Sequence, residues 1–160
     1  MQESPVIARI KQHFGDDLIA THRHLGEDTV IIRREKIVEL ARFLKEDPEL
    51  QFNFLMDLAA VDYLPRRPRF EVVYHFFSLR NRLRLRVKVP VPEHDAVVDS
   101  LCPLWKGADW YEREAWDMFG IRFRNHPDLR RILMYDEFEG HPLRKDYPYN
   151  KRQPLIGPRD

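Results

Sequence analysis

Arg69-Phe70-Glu71-Val72-Val73-Tyr74-His75-Phe76-Phe77-Ser78-Leu79, continued after Arg80-Asn81 by Arg82-Leu83-Arg84-Leu85-Arg86-Val87-Lys88-Val89-Pro90-Val91, is the stretch that decides the fold. The second run alternates strictly: Leu83, Leu85, Val87 and Val89 on one side, Arg82, Arg84, Arg86 and Lys88 on the other. Successive side chains of a strand point to opposite faces, so the two runs predict a β-hairpin with one face in the core and one toward solvent or a partner. Pro90 and Pro92 end it.

On the N-terminal side, Ser4 and Pro5 precede an apolar stripe of Val6, Ile7, Ile10 and Phe14 with Gly15 beyond, which predicts a capped amphipathic helix. Leu18 to Thr21 and Thr29 to Ile32 are short β-prone runs around Gly26-Glu27-Asp28; Ile37, Leu40, Ala41 and Leu44 then mark a helix stopped by Asp47-Pro48. Phe52 to Val61 keeps both a helical and an alternating spacing, and its second half is read as strand.

On the C-terminal side, Ala96 to Leu104 reads as a helix broken at Pro103, and Asp109 to Phe119 as a stronger one with a capping box Asp109-x-x-Glu112 and Gly120 as its stop. Within that helix Arg113 and Asp117 stand at i, i+4 and are expected to pair, over a buried stripe of Tyr111, Ala115, Met118 and Phe119. Trp110 and Trp116 fall off the stripe, as protein-contact residues do. Asn125-His126-Pro127 would cap a short helix carrying Leu129, Ile132 and Leu133. Beyond Asp136 the chain is Gly, Pro, Tyr and charge without apolar periodicity. The expected class is therefore α+β: an antiparallel or mixed sheet with helices packed on one face, over residues 1–136, followed by an extended C-terminal arm over 137–160 that docks on partner subunits. Few large side chains in the arm offset the entropy of ordering it, so it is expected to touch its own core little.

Composition narrows the function classes. A chain of 160 residues is room for one domain that buries roughly 68–70% of its unfolded surface. With 27 Lys and Arg against 26 Asp and Glu and 43% hydrophobic residues, it is neither disordered nor a bulk nucleic-acid binder. Cys102 is the one cysteine, which excludes an internal disulfide and any iron–sulfur cluster or zinc site built on several thiolates. The start has no basic or apolar leader pattern, and no apolar run approaches the roughly 20 residues that span a bilayer. Membrane association is expected only through partners.

Candidate chemistry is sparse. Glu112 and Glu114 could suggest the carboxylate pair of a glycoside hydrolase, but residues two apart on a helix point about 200° from one another. His126 and His141, with Asp128, Asp136 and Glu139 between them, match no metal-ligand spacing and each precedes a proline, so structural or interface roles are expected. Dinucleotide, P-loop, nucleophile-elbow and H-E-x-x-H motifs are absent. The arginine strand, with Arg66, Arg67, Arg69, Arg130-Arg131 and Arg144-Lys145, could form a nucleic-acid footprint, yet RNA-binding sheets interleave aromatics with the basic residues and this face is purely charged.

The stretch Glu112-Arg113-Glu114, then Asp117-Met118-Phe119, His126, Arg130, Ile132 and Leu133, resembles the motif of the 30-kDa-type (C-type) subunits of respiratory complex I, the proton-translocating NADH:quinone oxidoreductase. The resemblance continues through Phe138-Glu139-Gly140-His141-Pro142-Leu143-Arg144-Lys145-Asp146-Tyr147-Pro148 and, more loosely, back through Leu58 to Leu79. It implies a non-redox structural subunit of the hydrophilic arm, peripheral on the cytoplasmic face of the inner membrane. The chain itself would hold no cofactor and no catalytic residue, while the assembled complex uses FMN, iron–sulfur clusters, NADH and a quinone. It further implies docking on the 49-kDa-type (D-type) subunit of complex I, with the B-type subunit among the other neighbours. The partner-binding and packing residues so implied are Glu112, Arg113, Glu114, Trp116, His126, Arg130, Arg131, His141, Arg144, Lys145 and Asp146. Related membrane-bound hydrogenase and chloroplast-type complexes share much of the motif and form the alternative.

Overall fold

The computed structural model describes residues 4–156, so the last four residues of the expected arm lie outside the described residues. Along the chain run α1 (Pro5–Phe14), β1 (Leu18–His24), β2 (Glu27–Ile32), α2 (Ile37–Glu46), β3 (Phe54–Asp62), β4 (Phe70–Ser78), β5 (Leu83–Val91), β6 (Val97–Asp99), α3 (Ala108–Phe119) and β7 (Arg122–Arg124). The hairpin predicted from alternation is β4–β5, and it sits inside a five-stranded sheet of order β1-β2-β5-β4-β3. Every pairing in that sheet is antiparallel except β2 with β5, which makes the sheet mixed. Val30, Val87, Tyr74 and Leu58 lie in one cross-strand row, and all four are buried. Ile10, Leu40, Leu44 and Ala115 from the helices join the same apolar cluster, so helices cover one face as expected. The opposite face carries Arg84, Arg86 and Lys88, in ion pairs with Glu27 and Glu71.

Several local expectations fail for identifiable reasons. Ser4 does not cap α1 with its side chain; its hydroxyl donates to the Asp28 carboxylate on β2. The double periodicity of Phe52 to Val61 is explained by a register shift between Leu55 and Asp57, which lets Leu55 and Leu58, three apart, both face the core. The helix expected over Ala96 to Leu104 is absent. Val97 and Val98 instead form β6, paired in parallel with β7, and side chains claim the donors that follow: Glu112 takes the Leu101 N–H and Ser100 the Cys102 N–H. The short helix expected after Asn125 is also absent, because the N–H groups of Ile132, Leu133 and Met134 all bond to the Asp117 carboxylate.

The C-terminal segment is irregular but does not stand off from the domain. Its Leu143 N–H donates to the Met118 carbonyl, its Lys145 N–H to Asp62, and Asp146 pairs with Arg69. The expectation of few contacts with its own core is therefore corrected for this stretch: polar anchors rather than apolar burial hold it. Tyr149 and Leu155, further on, are fully exposed.

Candidate functional site

The family-like motif is organised by α3. Its stop is Gly120, at φ +77°, whose N–H returns to the Trp116 carbonyl at 2.8 Å. A Cβ at this position would come within 2.7 Å of the His141 ring and 2.6 Å of Arg144, so glycine is needed both for the turn and for the close approach of the C-terminal segment. The capping box does not form: no side-chain cap bond is present at the start of α3, and Glu112 turns inward instead.

Asp117 is the hub of the site. Its side chain is fully buried, and besides the three backbone N–H groups it receives Arg131 Nη1 at 2.6 Å. These bonds hold its carboxyl below the usual carboxylate range against the opposing effect of burial. The expected Arg113–Asp117 pair is thus replaced by Arg131–Asp117, and Arg113 donates to the carbonyls of Arg130 and Arg131. Arg131 also reaches the carbonyls of Phe138 and Gly140, His141 Nδ1 meets the Asp117 carbonyl at 2.9 Å, and Arg144 donates to the Phe119 carbonyl at 2.6 Å. His141 and Arg144 thereby satisfy carbonyls in the last turn of α3, where the helix dipole is negative. Trp116 is half-buried against the His141 ring and under Arg122.

Glu112 forms a second centre. With no exposed surface, it accepts the Ser100 hydroxyl at 2.6 Å, the Leu101 N–H at 2.7 Å and the Cys102 thiol at 3.3 Å. Burial raises its affinity for a proton above that of an ordinary glutamate. His126, whose ring is equally buried, lies 3.9 Å from Glu112. Among the described residues, Cys102, Glu112 and His126 bring ligand atoms within 4.8 Å of one another, as a metal site would. The imidazole argues against one. His126 Nδ1 accepts the Asp128 N–H at 3.0 Å, so its proton is on Nε2, which donates to the Asp109 carbonyl at 3.2 Å. A neutral imidazole ligating through Nε2 would need its proton on Nδ1, where the Asp128 N–H already points. Glu112, bonded to Ser100, Leu101 and Cys102, is a latch between α3 and the 100–102 turn, and the buried His126 ring packs beside it, tied to Asp109 and Asp128.

Burial and the neighbouring Glu112 push the Cys102 thiol up to about 12. Alkylation of native protein by iodoacetamide at pH 8 is accordingly expected to run at least tenfold slower than in urea. Equal rates, followed by mass spectrometry, would show that the latch opens freely.

A third centre was not anticipated as one. Arg69 is 1% exposed and grips Asp62 in a two-pronged contact at 3.0 and 2.8 Å. It also holds Asp146 at 2.6 Å and Glu93 at 2.5 Å. Asp62 in turn accepts the N–H groups of Leu64 and Lys145, and its carboxyl is held far below the usual range. The available signal was a lone acid closing the apolar run Leu58 to Val61, in register with Phe70 beside Arg69.

Of the residues implied as partner-binding, Glu114, Arg130, Lys145 and Asp146 are exposed, whereas Glu112 and the His126 ring offer no surface. Arg113, Trp116, Arg131, His141 and Arg144 are half-buried and engaged within the chain. Grooves of about 300 and 570 Å³ lie along β5 and beside the start of α1, and no motif residue lines either.

The family described as respiratory-chain NADH dehydrogenase, 30 Kd subunit, matches residues 30–153. The C-type subunit of NADH-quinone oxidoreductase from Geotalea uraniireducens (strain Rf4) is 48% identical over 158 residues, covering 98% of this chain and 95% of the relative. The solved trypsin-resistant fragment 1–134 of Nqo5 superposes with a TM-score of 0.68 at 34% identity, covering 78% of this chain and 98% of that one. A chain of the membrane-bound sulfane sulfur reductase, an archaeal respiratory membrane complex, reaches a TM-score of 0.74 at 22% identity, over 92% of this chain and 88% of that one, which shows the fold alone.

Proposed function

The chain belongs to the family of the 30-kDa subunit of respiratory-chain NADH dehydrogenase, and we propose that it serves there as a non-redox, structural part of the peripheral arm. It is one of the subunits of an NADH-quinone oxidoreductase, the enzyme that passes electrons from NADH to a quinone. No helix among the described residues is long and apolar enough to cross a membrane. The chain holds no flavin and no iron–sulfur cluster of its own and contributes no catalytic residue; those groups reside on its neighbours. It docks on the 49-kDa-type (D-type) subunit and lies close to the B-type one, on the cytoplasmic face of the membrane, in an enzyme that couples electron transfer to proton translocation.

One observation supports this reading above the others. The motif acids and bases are engaged with one another and with backbone groups: Glu112 with Ser100 and Leu101, Asp117 with Arg131 and three N–H groups. A catalytic site needs such groups aimed at a substrate-sized space. A rigid platform needs them aimed at one another. The corresponding subunit of a hydrogenase-type complex is the less favoured reading, since the likeness to the sulfane sulfur reductase chain extends to fold only.

The purified chain is expected to be colourless, without flavin or iron–sulfur absorption, and inert toward NADH, yet to restore quinone reduction when added to an enzyme preparation that lacks it. Absorption spectroscopy and an NADH oxidation assay check both halves. A stoichiometric bound cofactor in the isolated chain would overturn the non-redox role.

A further inference from the structure

On the outer side of α3 the residue that stands out is Trp110, 65% exposed. Its indole is held against the Arg113 guanidinium, 5.5 Å from the ring, and Arg113 is itself fixed by bonds to the Arg130 and Arg131 carbonyls. The indole N–H donates to nothing among the described residues. Leu133, on the loop that Asp117 pins against the same helix, is 58% exposed. Glu114 lies one helical turn from Trp110 on the same face and is exposed, with no cationic partner among the described residues.

We infer that Trp110, Leu133 and Glu114 form the anchor by which this chain docks one neighbouring subunit of the same enzyme, through an apolar pocket on that neighbour rimmed by lysine or arginine. The inference rests on the proposed role in the complex. An exposed tryptophan whose position is already set loses little side-chain freedom on binding, and such rigid aromatics dominate protein interfaces. The unpaired carboxylate sets the chemistry of the rim: a buried or half-buried acid without a partner disfavours association, while a facing cation favours it and speeds encounter. Trp116, implied by the motif, is not this anchor, because it is already covered by His141 and Arg122.

The test co-expresses the full tagged chain with the other subunits of the peripheral arm and measures how much of each co-purifies. Trp110→Ala and Glu114→Arg are expected to lower recovery of one neighbour at least tenfold. The urea midpoint of the isolated chain should stay within experimental error of wild type, since both side chains are exposed. Were Trp110→Ala to unfold the chain, Glu114→Arg alone carries the test. Undiminished recovery with Glu114→Arg and with a folded Trp110→Ala would overturn the anchor. So would a finding, by sedimentation, that Trp110 joins two copies of this chain while recovery of the neighbours is unchanged. If wild type fails to co-purify with any arm subunit, the proposed function itself fails; if wild type assembles and the variants assemble equally, only the anchor does.

Discussion

Arg69→Ala is expected to destabilise the chain by about 3–5 kcal/mol, the range found when one partner of a buried ion pair is removed. The loss would be large because the Asp62 side chain is 2% exposed and would keep its charge in a site without its counter-ion. Native stabilities of single domains run only to about 5–15 kcal/mol, so the urea midpoint should fall steeply. The same substitution frees Asp146 and removes one of the ties between the sheet and the C-terminal segment. Trypsin should then cut after Arg144 or Lys145 much faster than in wild type, while cutting after Lys151 and Arg152, already exposed, should change little. Arg69→Lys should recover only part of the loss, since an ammonium cannot reproduce the planar fork that meets Asp62 and Asp146 together. A stability change below about 1 kcal/mol, on the scale of a solvent-exposed pair, would show that the cluster is not buried in solution.

Asp117→Ala is expected to cost about 3 kcal/mol or more, since it strands Arg131 and the N–H groups of Ile132, Leu133 and Met134 at once. Had the carboxylate met only Arg113 along the helix, the cost would be roughly 0.3–0.5 kcal/mol. The pH dependence separates the two further. Asp62 and Asp117 both titrate below an ordinary aspartate, whose unfolded value is about 3.9. The stability they add is present above that value and is lost as pH falls through their lower native values. Glu112 works in the opposite sense: its proton affinity is raised, so its contribution is greatest at low pH and declines as pH rises through its native value. Acid unfolding of wild type below about pH 4 should accordingly be steep, and shallower in Asp117→Ala, as followed by circular dichroism.

Much of the fold was legible in the linear pattern. β4 and β5 were visible as alternation, α1 and α2 as stripes of apolar residues, and the end of α3 as Gly120, because each depends on groups within a few residues of one another. The α3 polar residues were legible as important but not in their pairings. Arg113–Asp117 was the pairing that spacing offered, and Arg131, 14 positions away, took the carboxylate instead. The segments misread as helices, 96–104 and 125–133, failed for a shared reason: Glu112 and Asp117, buried side chains on α3, capture backbone N–H groups that a helix would have used.

The sequence by itself determined the class of fold, the hairpin at its centre and, through the motif from Glu112 to Leu133, the family. Only the tertiary structure decided where each charge goes. Asp62 and Arg69 stand seven positions apart with only a weak local signal, and Asp146 lies 77 positions beyond Arg69, yet folding brings both acids within hydrogen-bond distance of the guanidinium. Local pattern reports which face of an element is apolar. The partner of a buried charge depends on which distant segment the packed core delivers to it, since an unpaired charge there is too costly to leave.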